Sequence, residues 1–189
     1  VTVTPGAAGE SAKAVADRVN NAVSTTGQST GVTAFAQTKA TLTGMAGGTV
    51  AFNLYGQNST GVAISATVTG SDVSALATAV NSQSASTGIT ASANGATLTF
   101  TSADGYDVGI ENYTNTGAGT ASLQGYNAFT DATSGAAVAL TSATATTDSS
   151  TVGGTLQFNA SSGYTVTSAA AGALFAATTA NASALSAVS

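Results

Sequence analysis

Apolar and polar positions alternate along most of this chain, and two stretches break that alternation with a helical period. Ala12, Val15, Ala16, Val19, Ala22 and Val23 recur at three- and four-residue spacing, which predicts an amphipathic helix over residues 11–24. Glu10 and Asp17 lie toward its start, where negative charge suits the helix dipole. Val73, Leu76, Ala79 and Val80 draw a second stripe, with Ser71 as the expected N-cap and Asp72 in the first turn. Period-two patterning predicts strands at 1–4, 32–43, 49–55, 62–68, 89–93, 96–102 and 106–113, with weaker candidates at 136–141 and a closing pair at 154–160 and 163–168. Turn chemistry falls between them, at residues 56–61, Asn94-Gly95 and Asp104-Gly105. The glycine pairs 47–48 and 153–154 read as hinges, residues 114–125 and 144–154 as polar connections, and residues 169–189 as helix or tail.

One phrase occurs twice. Ala14-Val15-Ala16-Asp17-Arg18-Val19-Asn20 is followed, after a Ser/Thr-rich spacer, by Thr30-Gly31-Val32-Thr33-Ala34. Ser74 to Asn81 is followed in the same way by Thr87-Gly88-Ile89-Thr90-Ala91. The first spacer is four residues longer, about one helical turn. Asn20 and Asn81 are expected to close their helices in the left-handed conformation, and Gly31 and Gly88 to relax the backbone before the strand begins. The structural turns are therefore assigned to Asn20, Gly31, Asn81 and Gly88, and the buried helix stripes to Val15, Val19, Leu76 and Val80. A charge placed at Val19 or Leu76 is expected to unfold the local unit. The resulting fold class is α+β, mostly β: two helix–turn–strand repeats with hairpins, plus a C-terminal β segment. The units are set at 1–48, 49–120 and 121–189, as one or two compact domains of a longer chain.

A helix carrying Val-Asn, then Thr-Gly-(Val/Ile)-Thr-Ala, resembles the repeat of the variable central region of bacterial flagellins. Hook-associated and filament-cap proteins share it. Ala96 to Ile110, with its strand, glycine turn and second strand, is similar to the continuation in that family, and Gly154 to Phe158 with Gly163 to Val166 is a looser likeness to its return strands. Flagellins polymerise through long amphipathic helices at both chain ends, and neither is present here. The resemblance thus implies the outward-facing middle of a flagellin, secreted to the extracellular flagellum and supporting motility. Its implied partners are other flagellin subunits, with exposed Ser and Thr as candidate O-glycan acceptors. Alternatives are a filament-cap or hook-associated segment, or a secreted adhesin or carbohydrate-binding module.

Composition narrows the chemistry. The chain has no Cys and no His among 189 residues, so neither a Ser-His nor a Cys-His nucleophile can be assembled. Three cations against eight carboxylates cannot neutralise the phosphates of a nucleic acid or grip an anionic membrane. Enzymatic activity, cofactors, nucleic acid and membrane are accordingly not expected. Leu, Ile, Val and Phe make up roughly 18% of the residues, which predicts a thin, alanine-rich core. Asp104, Asp107 and Glu111 are the densest carboxylates; they read either as a calcium site or, for Asp104-Gly105, as what a tight turn requires. The five tyrosines read as half-buried packing or as a platform for sugar stacking.

Overall fold

A computed structural model describes residues 9–25, 31–117, 119–142, 144, 146–160, 163, 165–166 and 181–182. The elements run α1 (Ala12–Thr25), β1 (Val32–Thr43), β2 (Gly48–Tyr55), β3 (Val62–Val68), α2 (Ser74–Ser82), α3 (Ser84–Thr87), β4 (Thr90–Asn94), β5 (Thr97–Ser102), β6 (Val108–Asn115), β7 (Thr120–Tyr126), β8 (Thr133–Thr141), β9 (Ser150–Val152), β10 (Thr155–Ala160), β11 (Thr165–Val166) and β12 (Asn181–Ala182). The fold is α+β and mostly β, as the alternation predicts. The strand expected at 1–4 and nearly all of the tail lie outside the described residues.

Among the described residues two antiparallel sheets make a sandwich. The first has the order β4-β5-β1-β7-β8, with β10 alongside the first half of β1; the second has the order β3-β2-β6-β9. The central strands turn one face inward. On β2 these are Val50, Phe52 and Leu54, and on β5 Leu98, Phe100 and Ser102. Phe52 and Phe100 meet edge to face across the sandwich, with ring centroids 6.2 Å apart. Val73, Leu76 and Val80 of α2 join the same core, as do Leu123 of β7 and Leu140 of β8. This core holds Tyr113, Phe100 and several Leu and Ile with essentially no exposure, so it is not thin. Small side chains dominate only under α1, where Ala12, Val15, Ala16 and Ala34 are buried apart from the main cluster.

Long β1 joins the two halves of the first sheet. Residues 32–37 pair with β10, and residues 38–43 lie between β5 and β7. The turn expected at Asp104-Gly105 is there, and it carries the chain between sheets, since β5 belongs to the first sheet and β6 to the second. A glycine turn reverses or redirects the chain, but the partner of the next strand is chosen by distant backbone groups. For the same reason β10 pairs with β1, and β11 pairs with β12, in place of the expected hairpin between 154–160 and 163–168. The connections at 114–125 and 144–154 contain β7 and β9. Their inward residues are few (Ala121, Leu123 and Gly125 on β7), too small a signal to read as strands. Helix α2 starts at Ser74 with Val73, not Ser71, at its N-cap; the Ser74 N–H donates to Asp72 Oδ1 at 2.9 Å just ahead of the helix.

The second-sheet hairpin β2–β3 keeps its expected bounds, and its six-residue loop is organised by one side chain. Asn58 donates to the Leu54 and Thr60 carbonyls and accepts from the Gly56 N–H. At the hairpin β4–β5, Gly95 has φ +57 and Ala96 does not share it, so glycine occupies the first central position of the turn. Asn94 is thereby the last strand residue. In each glycine pair expected as a hinge, the second member, Gly48 or Gly154, is a close-packing point. A Cβ on Gly154 would lie 2.5 Å from Thr38 Oγ1 and 2.8 Å from Ala12 Cβ.

Candidate functional site

The doubled phrase folds into two copies of one contact. In α1, Asn20 Nδ2 donates to the Ala34 carbonyl at 2.9 Å, and the Ala34 N–H donates to Asn20 Oδ1 at 2.8 Å. In α2, Asn81 Nδ2 donates to the Ala91 carbonyl and the Ala91 N–H donates to Asn81 Oδ1, both at 2.8 Å. A carboxamide offers the same donor and acceptor as a peptide group, so each Asn acts as a one-residue neighbour of the strand. The partner is the last residue of Thr-Gly-(Val/Ile)-Thr-Ala in both copies. That alanine was not singled out by sequence reasoning, although its identity in both copies was the available signal.

Neither Asn closes its helix in the left-handed conformation. Asn20 lies inside α1, which continues to Thr25, and Asn81 is the penultimate residue of α2. Among the described residues, the non-glycine positions with positive φ are Asn112 and Asp131. Helical backbone is what the contact requires, since it points the amide sideways at the strand rather than along the helix axis. Gly31 and Gly88 have φ +64 and +67. Gly88 closes α3, its N–H donating to the Ser84 carbonyl at 2.8 Å. The longer first spacer is taken up partly by the extra turn of α1 beyond Asn20.

The two copies agree beyond the phrase. Counting back from each Asn, Ala12, Val15 and Ala16 are buried in α1 where Val73, Leu76 and Ala77 are buried in α2. Val80 is fully buried, whereas its counterpart Val19 is half-buried, so the two stripes are unequal. Each strand also pairs antiparallel in the same register: Ala34 faces Phe158, Ala91 faces Phe100, Gln37 faces Thr155 and Asn94 faces Thr97. The partner strands begin Thr155-Leu156-Gln157-Phe158 and Thr97-Leu98-Thr99-Phe100. One copy is contiguous. The other is split, with its helix and first strand separated from its return strand by the whole of the second copy.

The charged residues are spent on local contacts. Lys13 pairs with Asp17 at 2.7 Å and lies over the Tyr106 ring, Lys39 pairs with Asp131 at 2.5 Å and lies over Tyr126, and Arg18 pairs with Glu10. Hydrogen bonding to Asp17 holds the Lys13 ammonium above its ordinary pKa. Of the tyrosines expected as a platform, Tyr113 is wholly buried, Tyr106 and Tyr126 support lysines, and Tyr164 lies outside the described residues.

Among the described residues no group of three or more acidic side chains is placed to hold a metal ion, so Asp104, Asp107 and Glu111 do not come together as a calcium site. Asp104 is exposed in the crossover between the sheets, and Glu111 is exposed on β6, where it accepts from the Tyr55 hydroxyl and raises that phenol's pKa. Asp107 is half-buried, and burial pushes its carboxyl above the usual range against an opposing pull from the Gly154 N–H. Sequence spacing placed these carboxylates near one another along the chain, but the sheet-to-sheet crossover sends them in different directions.

Ser134, Ala136 and Val138 of β8 and Ser150 and Val152 of β9 line a surface depression of about 160 Å³. That is below the ~300 Å³ at which small-molecule sites begin, and no titratable side chain lines it. No helix among the described residues is long and apolar enough to cross a membrane. The arrangement holds strands in register and offers no assembled acid, base or nucleophile among its described side chains.

A comparison with curated proteins finds no match to the chain. Residues 49–104 match a protein family, and they span β2, β3, α2, α3, β4 and β5, the contiguous copy with the Asn81–Ala91 contact inside it. The family is the flagellin hook IN motif, to which residues 49–104 of this chain are similar.

Proposed function

We propose that the chain is a non-enzymatic structural segment, the outward-facing central part of a flagellin that decorates the bacterial flagellar filament. The match of residues 49–104 to the flagellin hook IN motif carries this reading. The two-sheet sandwich supports it, since its function is geometric: rigid strands project from a filament core, define the filament surface and serve motility. The surface is rich in hydroxyls and poor in charge, with 6% of residues charged, which suits exposure outside the cell and close packing of many subunits. Exposed Ser and Thr are candidate acceptors for O-linked glycans, and other flagellin subunits are the proposed partners, reached through terminal helices beyond this segment.

The chain has no cysteine, so a single introduced thiol gives a clean test. Thr130 is exposed in the loop between β7 and β8. Cells whose full-length protein carries Thr130→Cys are treated with a membrane-impermeant maleimide dye. Label along the whole filament is expected. Label only at filament tips points to a cap protein, label at filament bases to a hook-associated protein, and label on the cell body to an adhesin; each overturns the flagellin reading.

A further inference from the structure

We propose that Asn81 closes the free edge of β4 against strand addition by a second copy of this chain. In an antiparallel pair, the N–H and C=O of one residue point to the same side, and successive residues alternate sides. Ala91 lies opposite Phe100 on β5, yet both of its backbone groups are bonded to Asn81. They therefore point away from β5, toward the side on which β4, the end strand of its sheet, has no strand neighbour among the described residues. Ala34 repeats the arrangement. It lies opposite Phe158 on β10, and both of its backbone groups go to Asn20 on the other side.

A bare edge strand is a template for pairing with another chain, and proteins usually blunt it with lysine, proline or a bulge. β4 reads Thr-Ala-Ser-Ala-Asn and has none of these. An incoming strand would need the outward-pointing groups of residues 89, 91 and 93. Asn81 occupies the central one, and the Ile89 N–H is turned onto Thr87 Oγ1 at 3.3 Å. On β1, residues 38–43 lie between β5 and β7, and Asn20 sits beside the first half of the strand, on the side away from β10. The Asn81 amide thus replaces one rung of a ladder that a second copy would otherwise complete. The device suits a Thr-rich chain whose low charge gives little electrostatic protection from its own copies.

The test compares the parent chain with Asn81→Ala and with the double variant Asn81→Ala/Ala91→Pro by sedimentation velocity over a concentration series. Asn81→Ala is expected to keep its native circular dichroism and to shift from monomer to dimer and larger species at concentrations where the parent is monomeric. Proline at 91 has no N–H to offer an incoming strand and is tolerated at an edge, so the double variant is expected to return to monomer. An Asn81→Ala chain that stays monomeric, or one whose association survives Ala91→Pro, overturns the proposal. Loss of native structure in Asn81→Ala makes the amide a folding contact and also overturns it. Amide exchange on the parent chain gives a second reading: slow exchange at Ala91, like that of a ladder amide, is expected, and exchange as fast as in the exposed loops refutes the closed edge.

Discussion

The Asn20 carboxamide and the Ala34 backbone form a two-point hydrogen-bonded pair across fourteen residues of sequence. It ties helix to strand. The same geometry recurs at Asn81 and Ala91 across ten residues, and there the contact is exposed, whereas the first is partly buried. Replacing Asn20 with Ala removes both bonds. With each of the two bonds contributing about 0.5–1.5 kcal/mol, the variant is expected to lose about 1–3 kcal/mol. Urea unfolding checks this: the midpoint should fall with the slope unchanged. An unmoved midpoint would mean that water replaces the contact at no cost.

The two helix stripes differ in their tolerance of charge. Leu76 is wholly buried in the main core, whereas Val19 is half-buried on the alanine-rich side of α1. Leu76→Asp places an unpaired carboxylate among apolar side chains and is expected to abolish the native fold. At Val19 the carboxylate reaches solvent, so Val19→Asp is expected to cost about 1 kcal/mol and leave the chain folded. Near-ultraviolet circular dichroism and thermal melting distinguish these outcomes. Equal loss in both variants would refute the difference between the stripes.

Two glycines with positive φ separate conformational strain from crowding. Gly95 has φ +57 with open space beside it, the nearest atom to an added Cβ being the Ser71 carbonyl oxygen at 3.6 Å. Gly105 has φ +80, and an added Cβ would overlap the Ala36 side chain and lie 2.9 Å from its carbonyl carbon. Gly95→Ala is expected to lose about 1–2 kcal/mol from strain alone. Gly105→Ala adds a collision between the sheet crossover and β1, and is expected to lose about 3 kcal/mol or more. Chemical denaturation of the pair measures the difference, and equal losses would place the crossover farther from β1.

Asp107 predicts a pH dependence of definite sign. Burial raises its pKa in the folded state, so ionisation is harder in the native protein than in the unfolded chain. Its ionised form therefore opposes folding at neutral pH, and that penalty is relieved as pH falls through the raised native pKa toward the ordinary carboxylate value near ~3.9. Asp72 behaves oppositely: the Ser74 N–H lowers its pKa, and its contribution is lost as pH falls through that lowered value. The expected result is that Asp107→Asn is more stable than the parent near neutrality, with the advantage shrinking on acidification. Denaturant midpoints taken between pH 7 and pH 3, a range around the carboxylate values cited, check this; an advantage that grows toward acid would reverse the assignment.

The sequence by itself determined where most strands and both helices lie. It did so because alternation and the 3.6-residue period are local consequences of which face each residue must bury, and Phe52, Leu98 and Leu76 announce those faces through their own neighbours. It also determined that a helix–strand unit is written twice, and it limited the chemistry through the absence of His and Cys. Only the tertiary structure decided partners. β10 joins β1 over more than a hundred residues, Asp104-Gly105 crosses between sheets, and β7 is a strand because Leu123 finds the core. Pairing depends on backbone groups that every residue carries alike, so side-chain pattern cannot name the partner. The role of Asn20 and Asn81 was hidden for the same reason. Their spacing from Ala34 and Ala91 is legible in the sequence, but only the folded chain turns a helix amide toward the edge of a strand.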